Sequence, residues 1–440
     1  MSERWARAIL ATYRWTGAAA YPLIGGYIAW RVSKGKEDRI RRHERYGKPS
    51  RERPSGPLVW MHAASVGETI AVLGLVEHLL TSRINVVLTT GTVTSASVAE
   101  ERLGDRVVHQ YVPLDLKPAV SRFLSHWSPD LAIMAESEIW PVTILELGVR
   151  HVPQVLVNGR MSDRSFARWR RRPYLAEALF ENLAHVVAQS EIDGERFRAL
   201  GARPVTVSGN LKVDTPMPPV DADMLARLKG MLGTRPVWAA VSTHPGEEEA
   251  AADVHKMLRR RRPDLITIIV PRHPERAPAI KAALAEKGLS VACRSDNGAI
   301  TAQTDILLGD TIGEMGLYLR LTEIAFMGRS LTGEGGQNPI EPAMLGTAVL
   351  SGVHVQNFRD SYARLLDRGG ARLVRDTQML AGAVNFLLNN DAMRGAMIAA
   401  GRRAVHEMSG ALSHTLVALE PFVHPLIVKS RLQGSGGGRG

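Results

Sequence analysis

From residue 57 onward, short apolar runs alternate with stretches in which apolar residues recur at helical spacing. The run Leu58-Val-Trp-Met-His-Ala-Ala64 carries no Asp, Glu, Lys or Arg and predicts a buried parallel strand. Ser65-Val66-Gly67 is a tight turn. Ile70, Val72, Leu73, Leu75, Val76 and Leu79 then mark one helix from Glu68 to about Thr81. Further strands are predicted near 85–91, 108–113, 131–136, 153–159, 185–189 and 205–209, with helical patterns between them. A second alternation starts at Pro236, with strands near 237–242, 265–270, 290–294, 304–309, 323–328 and 347–351. After about 375 the pattern is helical to about 421. Alternation at this interval means a parallel sheet with helices on both faces. The fold class is therefore α/β, with two doubly wound domains.

Between the two alternations, Asp214 to Arg235 carries Pro216, Pro218 and Pro219 and reads as the linker. The implied organisation is an N-terminal segment over 1–50, a first domain over 51–214, a linker over 215–235, a second domain with C-terminal helices over 236–425, and a disordered tail over 426–440. Two such domains would leave a cleft between them. Trp15 to Trp30 is free of charge, bounded by Arg14 and Arg31, and followed by a basic stretch to Arg53. A full membrane span needs roughly 20 apolar residues, so this segment is short. An interfacial or marginally spanning anchor is expected, with the bulk of the protein on the cytoplasmic side. The competing reading is a helix packed on the first domain.

Composition narrows the partners. With 440 residues the chain is too long for one compact core. Its formal charge of +11 favours anionic partners: nucleic acid, an anionic membrane or phosphorylated substrates. Aromatic content is only 5%, and no basic run is interleaved with stacking aromatics, which argues against nucleic acid. The single Cys293 excludes an internal disulfide framework and a cysteine zinc cluster. His62, His244 and His273 show no metal-ligand spacing.

Polar groups collect at the predicted strand ends, the edge where doubly wound sheets bind ligands. Glu68 is either a first-turn glutamate supporting its helix or a general base. The hydroxyls of Thr89, Thr90, Thr92, Thr94, Ser95 and Ser97 suit helix capping. Glu136 and Glu138 close an apolar strand, and Pro141 favours a helix start. Six arginines lie between Arg160 and Arg172, as a solvated face or as a grip on phosphate or anionic lipid. Lys212 stands after a strand, where a cation would offset charge on a leaving group. In the second half, Ser242, Thr243 and Gly246 open a helix whose N-terminus would suit a phosphate. Arg272 or His273 would hold a nucleotide. The loop Gly328 to Pro342 would bring backbone amides to a phosphate, with Glu341 accepting from ribose hydroxyls. It lacks the Gly-Lys-Ser/Thr of a Walker loop.

Taken together, Trp60-Met-His-Ala-Ala-Ser-Val-Gly-Glu68, Glu136-Ser-Glu-Ile-Trp-Pro141, Gly209-Asn-Leu-Lys-Val-Asp214, Pro271-Arg-His-Pro-Glu-Arg276, Gly309-Asp-Thr-Ile-Gly-Glu314 and Gly335-Gly-Gln-Asn-Pro-Ile-Glu341 resemble, in order, the motifs of 3-deoxy-D-manno-octulosonic acid (Kdo) transferases. The resemblance covers roughly residues 10–425. It implies the GT-B fold, two Rossmann-like domains facing a cleft. It also implies inverting transfer of Kdo from CMP-Kdo to a phosphorylated lipid A precursor (lipid IVA), at the cytoplasmic side of the inner membrane, with no metal and no further cofactor. Glu68 resembles the family's general base. Glu136 and Lys212 match residues thought to stabilise the transition state. Pro271 and Arg272, then Ile312, Gly313 and Glu314, then Asn338, Pro339, Ile340 and Glu341 match its CMP-binding groups. The chain departs from the family at Gln337, usually His, and at Arg329, usually Gly. Two other functions compete: a GT-B transferase or nucleotide-sugar epimerase with a soluble acceptor, and a basic membrane-peripheral binding protein without catalysis. Neither the number of Kdo units added nor the oligomeric state is written in these motifs.

Overall fold

The computed structural model describes residues 24–35, 37–296 and 300–436, with isolated positions 5, 8–10 and 12 ahead of them. The chain divides into two units, Met1–Thr215 with Ser409–Gly440, and Pro216–Met408.

The first unit is a parallel sheet of seven strands in the order β3-β2-β1-β4-β5-β6-β7. They are β1 Leu58–Ala63, β2 Asn85–Thr90, β3 Val108–Tyr111, β4 Leu131–Ala135, β5 Gln154–Gly159, β6 His185–Ala188 and β7 Val205–Val207. Every residue of β1 and β4 is buried, as their unbroken apolar runs require. Trp60, Phe123 and Trp127 fill one face of the sheet, and Trp60 meets Phe123 at 4.6 Å between ring centroids. Val72, Leu75, Val76 and Leu79, on the helix Val66–Thr81, fill the other. Each such side chain contributes about 1.5–3 kcal/mol by leaving water. The chain runs outward from β1 to β3, then returns to β4 on the opposite side of β1. The strand order therefore reverses between β1 and β4.

The second unit repeats the plan in the order β10-β11-β9-β8-β12-β13-β14. Its strands are β8 Val237–Thr243, β9 Ile266–Pro271, β10 Val291–Cys293, β11 Ile306–Leu308, β12 Ile324–Met327, β13 Ala348–Ser351 and β14 Ala371–Leu373. Here the reversal falls between β8 and β12. Every strand expected from the alternation is present, and β14 is an addition. It is a three-residue edge strand with Arg372 exposed, too short and too polar to register as an apolar run.

Three boundaries differ from the expectation. The stretch 37–50 is not a separate segment. Glu44 is fully buried, accepts the Tyr111 N–H at 2.7 Å and pairs with Arg41 at 2.9 Å. Arg45 is 5% exposed, pairs with Glu37 and donates to Gly91 O at 2.6 Å. These ion pairs fasten the basic stretch to the outer edge of the first sheet, because buried charges must be paired and hydrogen-bonded. Second, most of the expected linker belongs to the second unit, where 222–232 form the helix Ala222–Leu232. Third, the chain after Met408 returns to the first unit. The helix Ala411–Gly436 lays Leu419, Val423 and Leu426 into its core, and Asp214 accepts from Gly410 N and Leu412 N at 2.8 and 2.6 Å. That helix also covers 426–436, expected to be disordered; 437–440 lie outside the described residues. Among the described residues, 391–432 holds a stretch long and apolar enough to cross a membrane, in part because its second helix feeds this core. Of the expected anchor, 15–23 lie outside the described residues and the helix Ile24–Ser33 covers the rest.

Candidate active site

In the first unit the candidate residues gather at the C-terminal ends of β1, β4 and β5, around the reversal of strand order. Ser65 is the N-cap of the helix Val66–Thr81 and Glu68 lies in its first turn. The Glu68 carboxylate accepts the Ala64 N–H at 2.7 Å and the Ser65 hydroxyl at 2.9 Å. Supporting the helix start and being placed as a base are thus compatible. Burial, then the negative charges of Glu136 and Glu138, raise its carboxyl from 4.5 to about 7, against the lowering effect of those two hydrogen bonds. A carboxyl with this proton affinity exchanges its proton near neutral pH, which a general base needs.

Glu136 follows β4 and is 7% exposed. Its carboxylate pairs with the Lys212 ammonium and faces the Asn158 amide at 3.4 Å. Asn158 Oδ1 in turn accepts the Leu211 N–H at 3.0 Å, which fixes the short turn carrying Lys212. Glu136 and Asn158 both have left-handed backbone, at φ 57 and 50. Such conformations cost of order 1–3 kcal/mol in non-glycine residues and cluster at functional sites. Lys212 Nζ lies 3.8 Å from where a Cβ would stand on Gly67, so the ammonium sits beside the residue preceding Glu68. The structure therefore brings Glu68, Glu136 and Lys212 together.

Glu138 has separate partners. It accepts the Trp140 indole N–H at 2.6 Å and stands 3.4 Å from His62 Nε2. The capping expected of Thr92 and Ser95 is present as a reciprocal capping box, and Pro141 opens its helix. Arg164, Arg168, Arg170, Arg171 and Arg172 are all exposed.

In the second unit the expected nucleotide residues lie at the C-terminal ends of β9, β11 and β12. Pro271 ends β9, and Arg272 is exposed with its N–H held by Thr243 O at 3.0 Å. Ile312 is 73% exposed, and Gly313 follows it at φ 86. Glu314 accepts from Arg294 at 2.7 Å and from the Thr311 hydroxyl. Asn338 Oδ1 accepts the Ile340 N–H at 3.1 Å, its amide meets Glu341 at 3.4 Å, and Pro339 precedes the helix Ile340–Leu345.

Two phosphate expectations need correction. Thr243 Oγ1 donates to Glu248 at 2.9 Å, and Gly246 N to Glu249 at 3.0 Å, so that helix start is closed by its own glutamates. In the loop after β12, the N–H groups of Arg329, Ser330 and Leu331 are donated to the Glu247 carboxylate at 2.6, 2.9 and 3.0 Å. His244 N adds a fourth bond at 2.9 Å. Glu247 is 1% exposed and fills the seat read from sequence as a phosphate cradle. Nothing local in the sequence distinguishes it from the adjacent Glu248 and Glu249. Arg329 sits at φ 56, a conformation glycine adopts freely. Gln337 Nε2 is 3.4 Å from His244 Nε2.

Known proteins resemble this chain in sequence and in fold. Residues 40–215 match the family model described as 3-deoxy-D-manno-octulosonic-acid transferase (kdotransferase). The 3-deoxy-D-manno-octulosonic acid transferase of Haemophilus influenzae is 35% identical over 415 residues, covering 91% of this chain and 96% of the relative. That of Bordetella pertussis is 34% identical over 394 residues, covering 86% and 91%. Among solved structures, the S. aureus MnaA–UDP complex superposes with a TM-score of 0.59 at 13% identity, over 84% of this chain and 98% of that one. A glycosyltransferase from Rickettsia africae gives 0.58 at 12% identity, over 84% and 99%. These last two speak for the fold alone, which is GT-B.

Proposed function

The chain belongs to the 3-deoxy-D-manno-octulosonic acid transferase family, and from that premise we propose that it moves Kdo from CMP-Kdo onto a phosphorylated lipid A precursor with inversion at the anomeric carbon. It is a glycosyltransferase of the Kdo-transferring kind. The observation that most supports the finer reading is Glu68. It is a carboxyl with its pKa near 7, at the end of β1, beside the Glu136–Lys212 pair.

In the proposed reaction the Glu68 carboxylate takes the proton from a sugar hydroxyl of the acceptor. The freed oxygen forms its bond to the anomeric carbon of Kdo from the face opposite CMP. The bond from that carbon to the phosphate oxygen breaks, its electron pair leaves on CMP, and the configuration inverts. The transition state has oxocarbenium character, as in glycoside chemistry. General-base assistance of this kind is worth about 10²–10⁴-fold. Lys212 holds Glu136 in place and keeps a positive charge beside two carboxylates, which favours charge separation as CMP departs. Pro271, Arg272, Ile312, Gly313, Glu314, Asn338, Pro339, Ile340 and Glu341 receive CMP. No metal is required for any of these steps. The exposed arginines from Arg164 to Arg172 suit the phosphates of the acceptor. A lipid acceptor puts the reaction at a membrane surface, under this reading the cytoplasmic face of the inner membrane.

The test is a transfer assay. Purified protein in detergent receives CMP-Kdo and a tetra-acylated, bis-phosphorylated lipid A precursor, and mass spectrometry reads the products. A mass gain of one or more Kdo units is expected. CMP-Kdo binding without product would replace the acceptor; absence of both would overturn the reading.

A further inference from the structure

At the C-terminal edge of the first sheet, a buried histidine and a carboxylate hold a partly exposed aromatic ring in one orientation. His62, on β1, is fully buried. Its Nδ1 lies 3.0 Å from Thr89 O and 2.9 Å from Thr89 Oγ1, and its Nε2 lies 3.4 Å from Glu138 Oε2. The same carboxylate oxygen accepts the Trp140 indole N–H at 2.6 Å. Trp140 is itself the N-cap of the helix Pro141–Val149, with Pro141 directly after it, so its backbone is held too. The residue remains 38% exposed.

A tryptophan normally gains by burying its whole ring, and its N–H seeks a partner when buried. Here the N–H is partnered while more than a third of the residue stays exposed. That exposed part gains nothing from leaving water until a ligand covers it. The anchor also lies near the base: His62 stands two residues before Ala64, whose N–H the Glu68 carboxylate accepts, and Glu138 stands two residues after Glu136.

We infer that Trp140 is the platform on which the sugar ring of the acceptor stacks, with Glu138 and His62 as its positioning residues. A pyranose has an apolar C–H face and a rim of hydroxyls. The face would lie on the indole while a rim hydroxyl reaches Glu68. The neighbouring groups favour a sugar over an acyl chain. Glu68 and Glu138 accept hydrogen bonds from hydroxyls and offer nothing to hydrocarbon, and Lys212, paired with Glu136, adds a donor beside them. This inference rests on the transferase reading and names the residue that would recognise its acceptor.

The experiment compares full-length wild type, Trp140→Ala and Trp140→Phe. It reads transfer kinetics for both substrates, and binding of the lipid A precursor in detergent micelles without CMP-Kdo. A stacked ring is worth about 0.5–1.5 kcal/mol, so Trp140→Ala should raise the acceptor KM and Kd about two- to tenfold. The KM for CMP-Kdo should not change. Trp140→Phe, which keeps a flat face, should recover most of the loss. A merely structural role would instead disturb both KM values together, and that result would overturn the platform, as would an unchanged acceptor KM and Kd. Trp140-dependent acceptor binding by a wild type that transfers nothing would support the platform and sink the transferase reading. If the wild type neither transfers nor binds the acceptor, both fall.

Discussion

Lys212 pairs with Glu136 across two loops that are far apart in sequence, and Asn158 ties the two together by facing Glu136 and holding Leu211 N. Both partners are largely shielded from solvent, at 20% and 10% side-chain exposure. Removing one charge strands the other, which is costlier than removing both. Lys212→Ala should therefore destabilise the protein by about 1–3 kcal/mol, and Lys212→Ala with Glu136→Gln should return most of that loss. Neither variant should recover transfer. Urea denaturation of the four members of the cycle, with transfer rates alongside, checks both halves.

Glu68→Gln should lower kcat by about 10²–10⁴-fold while CMP-Kdo still binds. The same substitution should reveal the cost of placing the base. The Glu68 carboxyl is raised from 4.5 to about 7 by burial and by Glu136 and Glu138. Below pH 4.5 it is protonated whether the chain is folded or not. Between 4.5 and about 7 the unfolded chain has released the proton and the native one retains it, so stability falls as pH rises and stays lower above that window. Glu68→Gln should thus match wild type at pH 4.5 and exceed it at pH 8, by up to about 3 kcal/mol. Thermal melts at the two pH values decide this. A variant no more stable at pH 8 would remove the raised pKa.

The pH–rate profile should show an acid limb near 7, because Glu68 must lose its proton to act. Glu138→Gln removes one of the two charges that raise it, after burial and Glu136, and should move the limb to lower pH. The measurement is the position of the limb on the pH axis.

Glu247, on the helix after β8, holds the loop after β12 through three backbone N–H groups and the start of its own helix through a fourth, that of His244. Glu247→Ala leaves those donors without their acceptor and should destabilise the second unit by about 3 kcal/mol or more. Glu247→Gln keeps one carbonyl oxygen and should fold, with a raised KM for CMP-Kdo and a smaller change in the KM for acceptor. Steady-state kinetics with each substrate varied in turn separate the two.

Much of this is legible in the sequence alone. Strand positions follow from apolar runs, because a strand buried on both faces must exclude charge along its length, and β1 and β4 do so. The place of Glu68, Glu136 and Lys212 at strand ends follows from the same alternation. Other features escaped. Strand β14 is three residues long with an exposed Arg372, so no run betrays it. The basic stretch before Arg53 reads in sequence as the flank of a membrane anchor, yet Arg45 is buried against Glu37.

Local patterns thus determined which segments are strands and helices, and which polar residues stand at the sheet edges, because both depend on near neighbours in the chain. Tertiary structure decided what those residues do to one another. An apolar helix face does not name its partner, so only packing returned Ala411–Gly436 to the first unit. Three glutamates in a row look alike in sequence, and only the fold sent Glu247 to the loop at 329–331. The proton affinity of Glu68 depends on burial and on charges carried from residues 136 and 138, and electrostatic energy is set by distance in space rather than along the chain.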